Sequence, residues 1–332
     1  MSVQTLSAPP LAQPANARHV FTRQALWLLG FTLAVVLFGA VVRITGSGAG
    51  CGRHWPTCQG EIAHLPKRIE TAIELSHRVS TGLDMLLVFA LSVRAFRLFE
   101  KGHPSRRAFA AASAMMVVEA LVGAALVLLS LVGMDASLRR AIVMPIHLLV
   151  TSGLVAALAL GAFYSLPRSG SPSASAPVRR SVLRAALAVL VVSASGALTA
   201  LGDTVYPVKA GEMGSRLLRD HEQAAHFLER LRIVHPLLAV GGAVLVLAAG
   251  GAALGESKSV LGRKLAWFCI GACLSQVGLG VLNIMLSAPG WMQVVHLLVA
   301  NAVWLGLVLL AAELVDSRVP SLGVGPPRTS PI

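Results

Sequence analysis

Apolar residues fall in eight blocks along this chain, at roughly 25–44, 71–98, 107–130, 141–164, 181–201, 233–254, 261–286 and 290–314, with short polar or basic stretches between them. A bilayer core takes about 20 apolar residues per helix, and each block is long enough. Only helices or closed barrels satisfy their own backbone in lipid. The pattern therefore predicts an all-α polytopic membrane protein with eight transmembrane helices. Residues 1–24 read as a cytoplasmic tail, of which 1–17, rich in Ala, Pro and Gln, has the composition of a disordered segment. Residues 316–332 read as a second tail. The first block is too long for a signal peptide, and no A-x-A-like site follows it.

The stretch Ser169–Pro177 (SGSPSASAP) reads as a flexible linker within 169–180 and divides the chain nearly in half, into 25–168 and 181–315. The halves resemble each other. Gly39-Ala40 near the end of the first block matches Gly196-Ala197 in the fifth, and Glu119 and Gly123 match Gln276 and Gly280, both at an offset of 157. His77 matches His235 at 158, and His147 matches His296 at 149 across a shorter loop. Four landmarks in conserved order define a repeat. Each half has an even number of spans, so the two are parallel repeats about an axis along the membrane normal. The expected architecture is two pseudo-symmetric four-helix bundles, side by side.

Composition narrows the class further. Hydrophobic residues make up 55% of the chain and charged residues 13%, with a mean hydropathy of +0.72. A soluble domain carries nearer 25% charged residues, which argues against a water-soluble enzyme. The net charge of +13 invites a nucleic-acid reading, but the cations lie in loops between apolar blocks. With the N-terminus inside, sixteen Lys and Arg flank the inner ends and ten lie in the outer loops, half of those ten in 202–232, which reads as a small outer element. The positive-inside rule places both termini in the cytoplasm of a bacterial-type plasma membrane, with lipid as partner and no nucleic acid.

Candidate chemistry sits on four of the ten histidines: His77, His147, His235 and His296. Each opens an even-numbered span, so all four share one depth near the outer leaflet. Ionisable residues inside a membrane are costly and mark functional sites. A lone histidine there reads as packed and hydrogen-bonded; two per bundle, repeated at one depth, read as bis-histidine haem ligation. Zinc wants three or four ligands at short spacing. Gly82, Gly153, Gly241 and Gly242 are small enough to open a slot for a flat macrocycle. Glu119 and Gln276 are expected to hydrogen-bond between the bundles. Asp84 either adjoins the pocket or pairs with a cation, and Arg43 either meets a haem propionate or anchors at the interface.

The first outer loop carries the most specific signal. Arg43-Ile44-Thr45-Gly46-Ser47-Gly48, Cys51-Gly52, Trp55-Pro56, Cys58, Gly60 and then Glu74-x-x-His77-Arg78 closely resemble the haem A synthase family of CtaA type, over essentially all of residues 20–315. Glu74 and His77, three apart, share a helix face. The resemblance implies oxidation of the C8 methyl of haem O to a formyl group, by successive hydroxylations, to give haem A for terminal oxidases. It implies His77 and His147 on the substrate haem iron, His235 and His296 on the iron of a resident haem b, and a required acid at Glu74. It also implies a disulfide between Cys51 and Cys58, either a structural staple contributing about 2–3 kcal/mol or a redox-active pair. Some members carry a second cysteine pair in the later outer loop; this chain has none in 202–232, and Cys269 and Cys273 read as buried small residues.

A bis-histidine iron has both axial sites filled. Either one histidine leaves and oxygen is activated at iron, or electrons are drawn from the macrocycle and water attacks the methyl carbon with Glu74 as general base. Alternatively, Glu74 only hydrogen-bonds His77 or the loop. The competing function is a non-catalytic dihaem b-type cytochrome exchanging electrons with quinol, which leaves the cysteine loop and Glu74 without a purpose. A haem O synthase that delivers substrate and self-association into a homo-oligomer are both compatible partners; the sequence names no electron acceptor.

Overall fold

The computed structural model describes residues 15–62, 65–166, 174–209, 211–212 and 226–315. They form eight long helices, all apolar enough to cross a membrane: α1 (Ala15–Ile44), α2 (Ile69–Leu98), α3 (Pro104–Leu128), α4 (Leu138–Phe163), α5 (Ala176–Val205), α6 (Phe227–Glu256), α7 (Val260–Met285) and α8 (Gly290–Leu314). Helix α6 opens with one α turn, passes through a 3-10 turn at Leu231–Ile233, and continues as Val234–Glu256. Polar side chains start several of these helices: Ser137 accepts from Arg140 N–H at 3.3 Å before α4, and Ser259 from Gly262 N–H at 2.8 Å before α7. Each satisfies a backbone donor that the first turn leaves without an intrahelical acceptor.

Within each half the helices pack in a ring, α1–α2–α3–α4 and α5–α6–α7–α8, so α2 lies diagonal to α4 and α6 diagonal to α8. The halves meet through α1, α4, α5 and α8, where Trp304 Nε1 donates to the carbonyl of Ser152 at 2.9 Å. Each half has its own core. In the first, Phe21 sits edge-on to Phe99 and Phe109 at 5.2 and 5.3 Å; in the second, Val182, Val246, Cys269 and Leu307 are buried together. Cys269 and Cys273 are free, buried thiols. Side chains at a membrane helix surface gain little from facing lipid or protein, so close contact of small residues matters. Thus the Gly161 Cα is so near Phe109 that a Cβ there would lie 2.6 Å from the ring.

Three boundaries differ from the sequence expectation. Helix α1 begins at Ala15, ten residues before the apolar block, because its first turns are packed rather than solvated. Phe21 is fully buried, Thr22 Oγ1 lies 2.6 Å from Ser165 Oγ, and the Arg18 guanidinium sits over the Phe99 ring. Helix α5 begins at Ala176, inside the expected linker, held by Ser175, whose N–H and hydroxyl both donate to the Glu256 carboxylate at 2.8 Å. The expected outer element 202–232 is shortened from both sides, by α5 running to Val205 and α6 starting at Phe227. The centre of that segment, most of the 169–177 linker and most of both tails lie outside the described residues.

A candidate haem site in each half

All four histidines sit about two turns into their helices, at the end of the bundles that also holds the connections α1–α2, α3–α4 and α7–α8. Those connections touch one another: a Cβ on Gly48 would lie 3.3 Å from Val132, and Gly290 approaches Ile44. The four side chains are partly buried. Small residues on the preceding odd-numbered helices back three of them, His77, His235 and His296. A Cβ added to Gly39 would sit 3.2 Å from His77 Cε1, one on Gly196 would sit 3.0 Å from His235 Cε1, and one on Gly280 would sit 3.4 Å from His296 Cε1. The repeat landmarks Gly39 and Gly196 are therefore the residues that make room for imidazoles. Of the glycines expected to open a slot for a flat macrocycle, Gly82 and Gly241 meet nothing within 4 Å, while Gly153 and Gly242 pack on Met115 and Val192.

In the second half His235 and His296 face each other with ring centroids 6.4 Å apart and planes at 85°. His235 Nδ1 lies 3.1 Å from Ser195 Oγ and 3.2 Å from the Val192 carbonyl, which leaves its other nitrogen open. His296 Nε2 lies 3.0 Å from Gln276 Nε2, while its Nδ1 is buried with no hydrogen-bond partner. A metal–imidazole bond is about 2 Å, so two imidazoles sharing one iron have centroids roughly 6 Å apart. The observed pair fits a haem iron by that measure.

In the first half His77 is edge-on to Phe38 at 5.5 Å, and its Nδ1 is buried without a partner. His147 Nδ1 stands 3.4 Å from Glu119 Oε1, and the Thr151 hydroxyl, one turn further along α4, donates to the same oxygen. This corrects one expectation. Glu119 and Gln276 do not join the bundles; each reaches, within its own half, the histidine on the fourth helix of that half. The reason is the ring order, which sets α3 beside α4 and α7 beside α8. Asp84 takes no basic partner in the bonds observed: it accepts from Thr32 Oγ1 at 2.8 Å, both residues being buried.

The loop between α1 and α2 is fastened over the first half. Cys51 and Cys58 form a disulfide, with Cα atoms 4.5 Å apart. Glu74, 3% exposed, accepts the Cys51 N–H at 2.6 Å on Oε2 and two N–H groups of Arg78 on Oε1, Nε at 3.1 Å and Nη2. Arg78 in turn donates from Nη1 to the carbonyls of His54 and Thr57 at 2.5 and 2.8 Å. Thr71 Oγ1 donates to the Gly50 carbonyl at 2.9 Å, and Gly50 lies so close to α2 that a Cβ would be 2.6 Å from the Glu70 backbone. Helix α2 therefore carries both the loop clamp and His77.

The second half places a cation where the first has Glu74. Arg232, three residues before His235, is 2% exposed and donates from Nε to Asp203 Oδ1 at 3.0 Å and from Nη2 to the carbonyls of Gly202 and Tyr206. Glu74 pins the start of its histidine helix to the loop before it, and Arg232 pins the start of its own to the end of α5, with opposite charge. Arg78 stands in the sequence motif without a role assigned to it, although its position four residues after Glu74 is the spacing of a helical ion pair.

The chain matches the family described as COX15-CtaA, cytochrome oxidase assembly protein, over residues 23–72 and 66–308. It is 42% identical over 301 residues to a protoheme IX farnesyltransferase of Thermus thermophilus, covering 90% of this chain and 49% of that protein. It is also 38% identical over 105 residues to a heme A synthase of Bacillus mycoides, covering 30% of this chain and 34% of that protein. The chain thus spans about half the length of the Thermus relative. With the match running from α1 into α8, this chain belongs to the COX15-CtaA family of cytochrome oxidase assembly proteins.

Proposed function

We propose that the chain is a haem A synthase, oxidising the C8 methyl of haem O to a formyl group in the first half while the second half holds a resident haem b. The observation that carries this reading is the asymmetry of two otherwise repeated pockets. Among the described residues only the first has a loop clamped over it, the one closed by the Cys51–Cys58 disulfide, as suits a site that admits and sequesters a substrate. The name of the Bacillus relative and the loop motif support the same reading.

In this reading His77 and His147 bind the iron of the substrate, and His235 and His296 bind haem b, which supplies one-electron redox chemistry when bound. The change from methyl to formyl passes through two hydroxylations to a geminal diol that loses water. Overall, with water as the oxygen source, it takes up one H2O and releases four protons and four electrons, the electrons passing to an acceptor outside this chain. The clamp from Glu74 and Arg78 to Cys51, His54 and Thr57 holds the loop over the reacting edge and excludes water. For Glu74 to serve as general base, one of its contacts must open; its present partners favour a positioning role. Both termini in the cytoplasm and the histidine ends outward remain part of the proposal.

The name of the Thermus relative raises farnesyl transfer as a second reading. This chain covers only 49% of that protein, so the printed name does not by itself pass to the half that matches. Farnesylation of protohaem is instead the reaction that supplies haem O, and its enzyme is the partner we propose. The test is expression in a membrane that makes haem O but no haem A, with the extracted haems resolved by mass. Haem A is the result expected. Haem O made from protohaem alone would establish farnesyl transfer, and unchanged haem O beside a pigmented protein would leave the dihaem cytochrome.

A further inference from the structure

The two pockets differ in what stands behind one histidine. In the first half it is a carboxylate: Glu119 Oε1 stands 3.4 Å from His147 Nδ1, within ion-pair distance but not hydrogen-bonded to it, so that this nitrogen is buried without a hydrogen-bond partner, and Thr151 donates to that same oxygen. In the second half the equivalent residue is an amide, with Gln276 Nε2 3.0 Å from His296 Nε2. The equivalent of Thr151 is Ala300, so the hydroxyl is lost together with the charge. The carboxylate also has an oxygen, Oε2, that is buried with no hydrogen-bond partner. A carboxylate is costly so far inside a membrane, and nothing in the packing of α3 against α4 requires one, since glutamine occupies the same place in the repeat.

We propose that Glu119 is a positioning residue that lowers the reduction potential of the haem iron held by His147, and that Gln276 leaves the iron held by His296 at a higher one. The inference rests on the reading of His77 with His147 and His235 with His296 as haem-ligand pairs. Turned slightly toward its neighbour, a carboxylate at this distance would accept the N–H of that ring nitrogen, which fixes the tautomer and makes the opposite nitrogen a stronger donor. A stronger axial donor favours ferric over ferrous iron. An amide gives a much weaker effect. The more reducing iron therefore belongs to the half that the loop covers, where substrate is oxidised.

The experiment is a redox titration of the full-length, haem-loaded protein in detergent, followed by its visible spectrum. His147→Ala and His296→Ala identify the component that belongs to each half. Glu119→Gln should move the first-half component to higher potential, and Gln276→Glu should move the second-half component to lower potential. Each shift should be on the order of tenfold in the ferric/ferrous equilibrium, about 59 mV for one electron. A purely structural Glu119 would change protein yield or haem content but not the potential of what remains. If Glu119→Gln does not accumulate, Gln276→Glu decides alone. Components that stay in place in the surviving variants overturn the inference. A failure of the pocket reading looks different, because no component would then disappear with His147 or His296.

Discussion

Arg43 donates from Nη2 to Oε1 of Gln293 at 2.9 Å, joining the helix that backs His77 to the helix that carries His296. Its Nη1 donates to the Ala200 carbonyl at 2.6 Å and to Thr204 Oγ1 at 2.5 Å, one and two turns beyond Gly196, which backs His235. One guanidinium thus holds three helices around both pockets. The bonds of Arg43 seen here are all to protein, on α5 and α8. Its fixed fork of donors is what lets it serve several acceptors at once.

Arg43→Lys keeps the charge and loses the fork, so it should destabilise the junction between the halves by roughly 1–3 kcal/mol. Equilibrium unfolding in mixed detergent micelles checks this. A lysine variant as stable as the parent would show that the three contacts add nothing.

Glu74 and Arg78 form one clamp, so their losses should not add. Breaking a buried ion pair by removing one partner costs about 3–5 kcal/mol. Glu74→Gln and Arg78→Gln should each weaken the loop to a similar degree, and the double variant should cost little more than either. The haem readout separates clamp from base. If Glu74 only positions the loop, both single variants lose haem A formation together; a base would leave Arg78→Gln far more active than Glu74→Gln.

The glycines behind the histidines predict a graded series. A Cβ at Gly196 meets His235 at 3.0 Å and one at Gly39 meets His77 at 3.2 Å, whereas one at Gly123 meets nothing within 4 Å. Overpacking costs typically about 1–3 kcal/mol, which here falls on the position of an imidazole. Gly196→Ala should lose haem b absorbance per mole of protein. Gly39→Ala should keep it and lose haem A formation, and Gly123→Ala should change neither.

The spans and the paired histidines were legible because lipid imposes a length on each helix and makes every interior histidine stand out. The repeat was legible for the same reason, since Gly39 and Gly196 are packed against imidazoles and not free to vary. What sequence periodicity missed was set by distant partners. The start of α1 depends on Phe21 meeting Phe99 and Phe109, Asp84 finds Thr32 across the bundle, and Arg43 crosses between halves. Glu119 and Gln276 were visible as a pair, but which neighbour they reach follows from the ring order of the helices, which no single helix encodes.

The central claim is that the loop-covered half takes the substrate haem and the other half keeps haem b. Haem content by mass, measured on purified His77→Ala, His147→Ala, His235→Ala and His296→Ala proteins, tests it most directly. The first two should retain haem b and carry no haem O or haem A, and the last two should lack haem b. Haem b lost from the first two and retained by the last two would contradict the account.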